Sequence, residues 1–259
     1  MRAGLFGFGR TGKAVAAVLF QNPSVRLEWI IRNSGRMEHR SAAEFLGVDS
    51  DGQGTIHPKT EFLAPGFLDE NPVDVIIDFS SQDGIYEYGS LAAERGINIV
   101  SAVSNYPEET IEFARSLGQK TKVMWAPNIT IGINFLIMAA RVLNMIAPYT
   151  DVEIIEEHFK VKPEISGTAK IIAQKLDIPE SDIKSVRAGG IIGTHEILFG
   201  FPHQTVRLKH ESISREAFGN GALFAAQKLC EKEIGFYNME DILFEYFSEV
   251  SKVQSKREH

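Results

Sequence analysis

Two short stretches of this sequence carry residue types that can do chemistry. The first is Glu156-Glu157-His158-Phe159-Lys160-Val161-Lys162-Pro163-Glu164-Ile165-Ser166-Gly167-Thr168-Ala169. His158 is its one side chain with an ordinary pKa near neutrality, so it can hand over or take up a proton. Lys162 adds a full positive charge. Ser166, Gly167 and Thr168 open a helical pattern, and a helix start offers unpaired N–H groups and the positive end of the dipole to a carboxylate or phosphate. Proton transfer beside a bound anion is the chemistry these parts allow. Each also has a blander use: a strand histidine can satisfy local backbone, and Ser166 or Thr168 can be a simple N-cap.

The second stretch is Gly7-Phe8-Gly9-Arg10-Thr11-Gly12, between an apolar strand at 3–6 and a helix at 13–20 packed by Val15, Val18 and Leu19. Strand, G-x-G-x-x-G, helix is the dinucleotide-binding arrangement. Its first glycine makes the turn, the second lets a pyrophosphate approach backbone, and the third lets the helix pack close. A tight turn with no ligand is the alternative. A further strand at 25–31 should end beside the adenine ribose, where an acidic residue would read the 2′-hydroxyl of NAD. Here Arg32 follows, with Arg36 and Arg40 beyond, and Glu28 lies inside the strand. Arginine suits a 2′-phosphate through a bidentate, charge-assisted contact, so NADPH is expected over NADH. A solvated basic loop would account for the same residues.

The elements around these stretches follow from pattern. Apolar runs at 73–79, 98–103 and 122–126 alternate with helical segments at 84–95 and 108–117, which predicts a doubly wound parallel sheet with its ligand at the carboxyl ends of the strands. Ser80, Val103, Ser104 and Asn128 sit at such ends. Beyond residue 128 the grammar changes. A long helix at 134–146 is followed by strands at 151–161, 186–188, 193–199 and 205–211, with helix 168–176 packed on them as a second, open sheet. Helix returns at 214–233, a turn is expected at 235–239, a short helix at 240–247, and a frayed polar end at 251–259.

Composition bounds the function. The chain has 259 residues and a net charge of −7, which argues against nucleic acid as a general partner. The longest apolar stretch, 129–147, contains Asn134, Arg141 and Asn144 and is not a membrane span. Cys230 is the only cysteine, so no disulfide framework or thiolate metal site is expected and a reducing cytoplasm fits. His195, His203 and His210 do not have a metal-ligand spacing, and no metal is expected.

Several stretches, in order along nearly the whole chain, resemble one family. They are Gly7 to Gly12, Asp78-Phe79-Ser80, Ala126-Pro127-Asn128-Ile129-Thr130-Ile131-Gly132-Ile133-Asn134, Glu156-Glu157-His158 through Lys162 to Ser166-Gly167-Thr168-Ala169, Arg187-Ala188-Gly189-Gly190-Ile191-Ile192-Gly193-Thr194-His195, His210 with Ser214-Arg215 and Phe218, Gly221-Ala222, and Gly235-Phe236-Tyr237-Asn238-Met239. The chain resembles dihydrodipicolinate reductase, the 4-hydroxy-tetrahydrodipicolinate reductase of lysine and diaminopimelate biosynthesis. The resemblance implies an α/β fold: a Rossmann domain, 1–128 with 216–259, plus an α+β domain, 129–215, whose open mixed sheet serves substrate binding and a homotetramer. It implies His158 as proton donor with Lys162 in catalysis, Ser166, Gly167, Thr168 and Arg215 on a small dicarboxylate substrate, and Ala102, Val103 and Ser104 in the loop that meets the nicotinamide. Three departures stand out. Phe159 replaces a second histidine, Pro163-Glu164-Ile165 replaces Asp-Ala-Pro, and Ala102-Val103-Ser104-Asn105 replaces Gly-Thr-Thr-Gly. They leave two alternatives open, a divergent NAD(P)H-dependent reductase of another imine or amino/keto acid and a catalytically silent nucleotide-binding regulator.

Overall fold

The computed structural model describes residues 1–35, 37–49 and 54–255; Arg36, residues 50–53 and the polar end at 256–259 lie outside the described residues. In chain order the strands are β1 (Arg2–Phe6), β2 (Arg26–Arg32), β3 (Thr55–Pro58), β4 (Val75–Asp78), β5 (Asn98–Ser101), β6 (Lys122–Trp125), β7 (Asp151–His158), β8 (Lys184–Arg187), β9 (Thr194–Gly200), β10 (Thr205–Glu211) and β11 (Gly235–Tyr237). Two compact units result, Met1–Ile129 with Phe218–His259, and Thr130–Ala217.

The first unit holds a seven-stranded sheet in the order β11-β6-β5-β4-β1-β2-β3, every pairing parallel. The chain winds outward from β1 to β3, then crosses back to β4 and winds the other way. That reversal, between β1 and β4, opens a crevice at the carboxyl ends of the two strands. All four residues of β4 are buried, as its unbroken apolar run demands of a strand covered on both faces. Phe6 anchors an aromatic core, with ring centroids 4.7 Å from Phe62 and 4.6 Å from Tyr88. Two elements differ from expectation. The 235–239 segment is not only a turn: Gly235–Tyr237 pairs with β6 as an edge strand. Its three residues are too few to show a period, so only tertiary pairing defines it. Helix Met239–Ser255 is longer than the predicted 240–247.

The second unit holds a four-stranded sheet in the order β10-β9-β7-β8, with β7 and β8 parallel and the other pairs antiparallel. Helices Ile131–Ile146 and Gly167–Lys175 bury their apolar stripes against one face, where Ile133, Ile137, Ala169 and Ile172 meet Ile154, Ile197 and Phe199. On β7 the inward residues are Ile154, Glu156 and His158, two apart as strand geometry requires. The same face therefore passes from apolar core to polar site within two residues. β7 stops at His158, short of the expected 161. Lys162 N–H returns to Phe159 C=O at 3.0 Å and Lys160 N–H bonds Gly189 C=O, closing a turn. Strand alternation does not extend past His158, so Lys160, which a longer strand would align with His158, is exposed in that turn.

Candidate active site

In the first unit the glycine turn does what its spacing predicts. Gly7 has φ +94°, and a Cβ there would lie 2.6 Å from Phe79 C=O; a Cβ on Gly12 would lie 2.0 Å from Gly7 C=O. Gly9 caps helix Arg10–Gln21 and would meet nothing within 4 Å, so its backbone stays approachable. Phe8 is buried, with its ring 6.0 Å from Phe45, and Arg10 is exposed in the first turn. Gly7 and Gly9 edge a cavity of about 540 Å³ at the β1/β4 crevice, whose wall also includes Phe8, Arg32, Asn33, Ser34, Lys59, Phe79 and Ser80. Lys59 is ion-paired with Glu87 on the same wall. A second cavity, of about 280 Å³, gathers Thr11, Ser80, Ala102, Val103, Ser104, Pro127 and Ile129. Asn128, between the last two, is not on its wall. An elongated ligand with a pyrophosphate fits this donor set: an open glycine, a helix start and a terminal guanidinium.

Beneath Ser80 lies a buried polar network. Asp78 accepts hydrogen bonds from Ser80 N–H at 2.8 Å, Ser80 Oγ–H at 2.5 Å and Tyr88 O–H at 2.8 Å. Burial pushes the Asp78 pKa up to about 6, against the lowering effect of these donors. Ser101 and Tyr106 hydroxyls bond at 2.7 Å alongside. The network fixes the turn after β4, and so the wall of both cavities.

In the second unit, cross-strand register assembles a polar cluster. Glu156 sits opposite His195 on β9 and beside Ser185 on β8, and His158 is registered with Arg187. Directly registered residues share a face. Glu156 is fully buried; its Oε2 bonds His158 Nδ1, and its Oε1 accepts from Ser185 Oγ–H at 2.6 Å and Arg187 Nη2–H at 2.6 Å. Burial alone would raise the Glu156 pKa, but the donors of Arg187, Ser185 and His158 outweigh it and hold the pKa at about 2. Burial lowers the His158 pKa, Glu156 opposes that, and Lys162 and Arg187 push down again, leaving it below its usual value. A Cβ on Gly193 would lie 3.0 Å from His158 Nε2, so the glycine keeps that nitrogen clear.

Lys162 follows in the turn, its carbonyl fixed by Arg187 Nε–H at 3.1 Å. Among the described residues no carboxylate pairs with its ammonium. Ser166 is the buried N-cap of helix Gly167–Lys175, accepting from Ala169 N–H at 3.3 Å, and its hydroxyl also bonds His195 Nε2 at 2.7 Å. Burial pushes the His195 pKa down to about 3, so that ring is neutral. Gly167 is exposed and Thr168 half-buried in the first helical turn. Arg215 is exposed beside Glu216 and joins none of these hydrogen bonds.

Sequence reasoning placed His158, Lys162, Ser166, Gly167 and Thr168 but assigned no role to Glu156, Ser185, Arg187 or His195. Glu156 was within reach, since a carboxylate two residues before a histidine on one strand shares its face. The others come from different strands: Arg187 and His195 bound a stretch that resembles the family but were given no role, and Ser185 carried no local signal. Among the described residues, no group of three or more His, Cys, Asp and Glu is placed to hold a metal ion.

Comparison with known proteins gives one family over residues 1–243. The family described as "Dihydrodipicolinate reductase, N-terminus" matches residues 1–129, and "Dihydrodipicolinate reductase, C-terminus" matches residues 128–243. The 4-hydroxy-tetrahydrodipicolinate reductase of Thermosipho africanus is 34% identical over 70% of this chain and 83% of its own length. That of Chromobacterium violaceum is 30% identical over 91% of this chain and 95% of its own. Among solved structures, the dipicolinate-bound dihydrodipicolinate reductase of Paenisporosarcina sp. TG-14 covers 93% of this chain and 99% of its own with a TM-score of 0.76. At 22% identity that likeness speaks for the fold.

Proposed function

The chain belongs to the dihydrodipicolinate reductase family, and from that premise we propose that it reduces 4-hydroxy-tetrahydrodipicolinate to tetrahydrodipicolinate with NAD(P)H. It is an NAD(P)H-dependent oxidoreductase of lysine and diaminopimelate biosynthesis. One arrangement carries the reading: a buried histidine, a lysine without a carboxylate partner among the described residues, and a capped helix start, gathered at one end of the four-stranded sheet. Retention of all three speaks against a catalytically silent binder.

The 4-hydroxyl leaves as water to give the unsaturated ring, and the reduced nicotinamide, when bound, would supply hydride to that ring. The chain supplies the rest. Lys162 and the Gly167 and Thr168 N–H groups hold substrate carboxylate at the positive end of the helix. When His195 donates from Nε2, Ser166 keeps its own hydroxyl proton for that carboxylate. His158 delivers a proton to the atom on which negative charge develops. Its lowered pKa leaves the ring neutral in the free protein, and a dianionic substrate beside it restores the imidazolium. Arg215 has a lesser place, as an exposed cation at the end of the loop after β10.

Gly7, Phe8 and Gly9 with Ser80 line the larger cavity as the pyrophosphate path, Thr11 lines the smaller one, and Arg10 and Gly12 complete the turn off both walls; Ala102, Val103 and Ser104 receive the nicotinamide end, with Asn128 adjoining. NADPH is preferred because Arg32 stands at the ribose end of the larger cavity, while Glu28 is engaged by Arg26 at 3.0 Å. The assembly is a homotetramer built through the four-stranded sheet of the second unit. Among the described residues no helix is long and apolar enough to cross a membrane, and the one cysteine suits a cytoplasmic setting. The test is His158→Gln: turnover should fall on the order of 10²–10⁴-fold with nucleotide affinity nearly unchanged. Near-normal turnover would remove His158 as the donor.

A further inference from the structure

We propose that Glu156 is the positioning residue of the proton donor: clamped by Arg187 and Ser185, it holds His158 by Nδ1 and leaves Nε2 as the nitrogen that faces substrate. The inference rests on the reading of His158 as the acid. Its geometric basis is separate. Glu156 and His158 share the inward face of β7, and each is registered with an inward residue of β8, Ser185 and Arg187 respectively. One carboxylate oxygen is taken by Ser185 and Arg187, the other by His158. A fully buried carboxylate gripped by a guanidinium and a hydroxyl is an anion, and an anion can only accept. The His158 proton must then sit on Nδ1. In the neutral ring Nε2 is bare, and on protonation Nε2–H is the acid. Gly193 leaves the space this nitrogen needs.

The charges around His158 make Glu156 decisive. Lys162 in the following turn and Arg187 on β8 are both cationic and disfavour an imidazolium. His195 on β9 is neutral, and His210 lies beyond it on β10; at the start of helix Gly167–Lys175 the N-cap Ser166 hydroxyl bonds His195. Glu156 is thus the carboxylate that opposes two cations. Replacing it by glutamine removes that opposition. The amide oxygen would go to Arg187 and Ser185, turning the NH₂ toward Nδ1 and forcing the other tautomer. The dyad therefore sets both the orientation and the acidity of the donor.

Nitrogen-15 NMR of the His158 imidazole tests this on the wild-type protein and on Glu156→Gln, beside the pH profile of kcat. The neutral wild-type ring should be protonated on Nδ1. Glu156→Gln should lower the His158 pKa by at least about one unit and move the alkaline limb of kcat down with it. At pH above that limb kcat should fall about tenfold or more, with the KM for nucleotide unmoved. Glu156→Asp, which keeps the charge, should keep the limb near its wild-type place at reduced kcat. A wild-type ring protonated on Nε2, or an unmoved limb in Glu156→Gln, overturns the proposal. If Glu156→Gln does not fold, the wild-type tautomer and the Glu156→Asp limb decide. If the wild type fails to reduce the dipicolinate intermediate, the functional reading falls while the imidazole titration still decides the dyad.

Discussion

Asp78→Asn separates the cost of a buried charge from the hydrogen bonds that surround it. Asp78 has no solvent exposure at the end of β4, and burial raises its pKa from 3.8 to about 6 despite the donors of Ser80 and Tyr88. A rise of roughly 2 units corresponds to about 3 kcal/mol at 1.36 kcal/mol per unit. The folded state binds this proton more tightly than the unfolded state. The Asp78 contribution is therefore fully present below the unfolded pKa of 3.8 and is lost as pH rises through about 6. The D78N protein has no such proton. Its stability relative to wild type should improve by about 3 kcal/mol from below the lower value to above the upper one, on top of a pH-independent offset for the exchanged hydrogen bonds. Urea unfolding followed by tryptophan fluorescence reads this unit directly, because both tryptophans, Trp29 and Trp125, belong to it. A wild-type-to-variant difference constant within about 0.5 kcal/mol across that window would refute the reasoning. A difference running the other way would mean that Ser80 and Tyr88 depress the pKa more than burial raises it.

Arg32→Ala should weaken NADPH binding about ten- to a hundredfold, the equivalent of roughly 1.5–3 kcal/mol for a charged hydrogen bond, and leave NADH nearly unmoved in titration calorimetry. Equal loss for both cofactors would make Arg32 structural. Gly12→Ala should lower the affinity for both nucleotides, since its Cβ would lie 2.0 Å from Gly7 C=O and backbone must shift; unchanged binding would contradict the close packing. Phe159→His should lower the KM for the dipicolinate intermediate by about five- to a hundredfold if it restores a carboxylate contact worth roughly 1–3 kcal/mol. A raised KM would mean that Phe159, 39% exposed beside His158, is fitted to the substrate as it stands.

Much of the frame was legible because it obeys local rules. The three glycines of the first turn were assigned separate roles from spacing, and their surroundings differ as those roles require: a positive φ at Gly7, open space at Gly9 and a carbonyl against Gly12. The apolar run of β4 and the alternation of β7 gave the right strand types. Legibility failed where structure depends on partners distant in sequence. β11 is three residues long and exists because β6 offers an edge. Lys160 left the strand because a turn to Gly189 ended it. Arg187 and Ser185 reach Glu156 from 31 and 29 residues away, so no spacing rule finds them. Glu156 itself was legible in principle by the period of two, and its weight became apparent only with Arg187 in place.

The measurement that bears most directly on the central claim is steady-state oxidation of NADPH and NADH by the wild-type protein with 4-hydroxy-tetrahydrodipicolinate at up to millimolar concentration. The account predicts substrate-dependent turnover with both nucleotides, a lower KM for NADPH, and loss of that turnover in His158→Gln. No oxidation of either nucleotide at millimolar substrate, with none gained in Phe159→His, would contradict it.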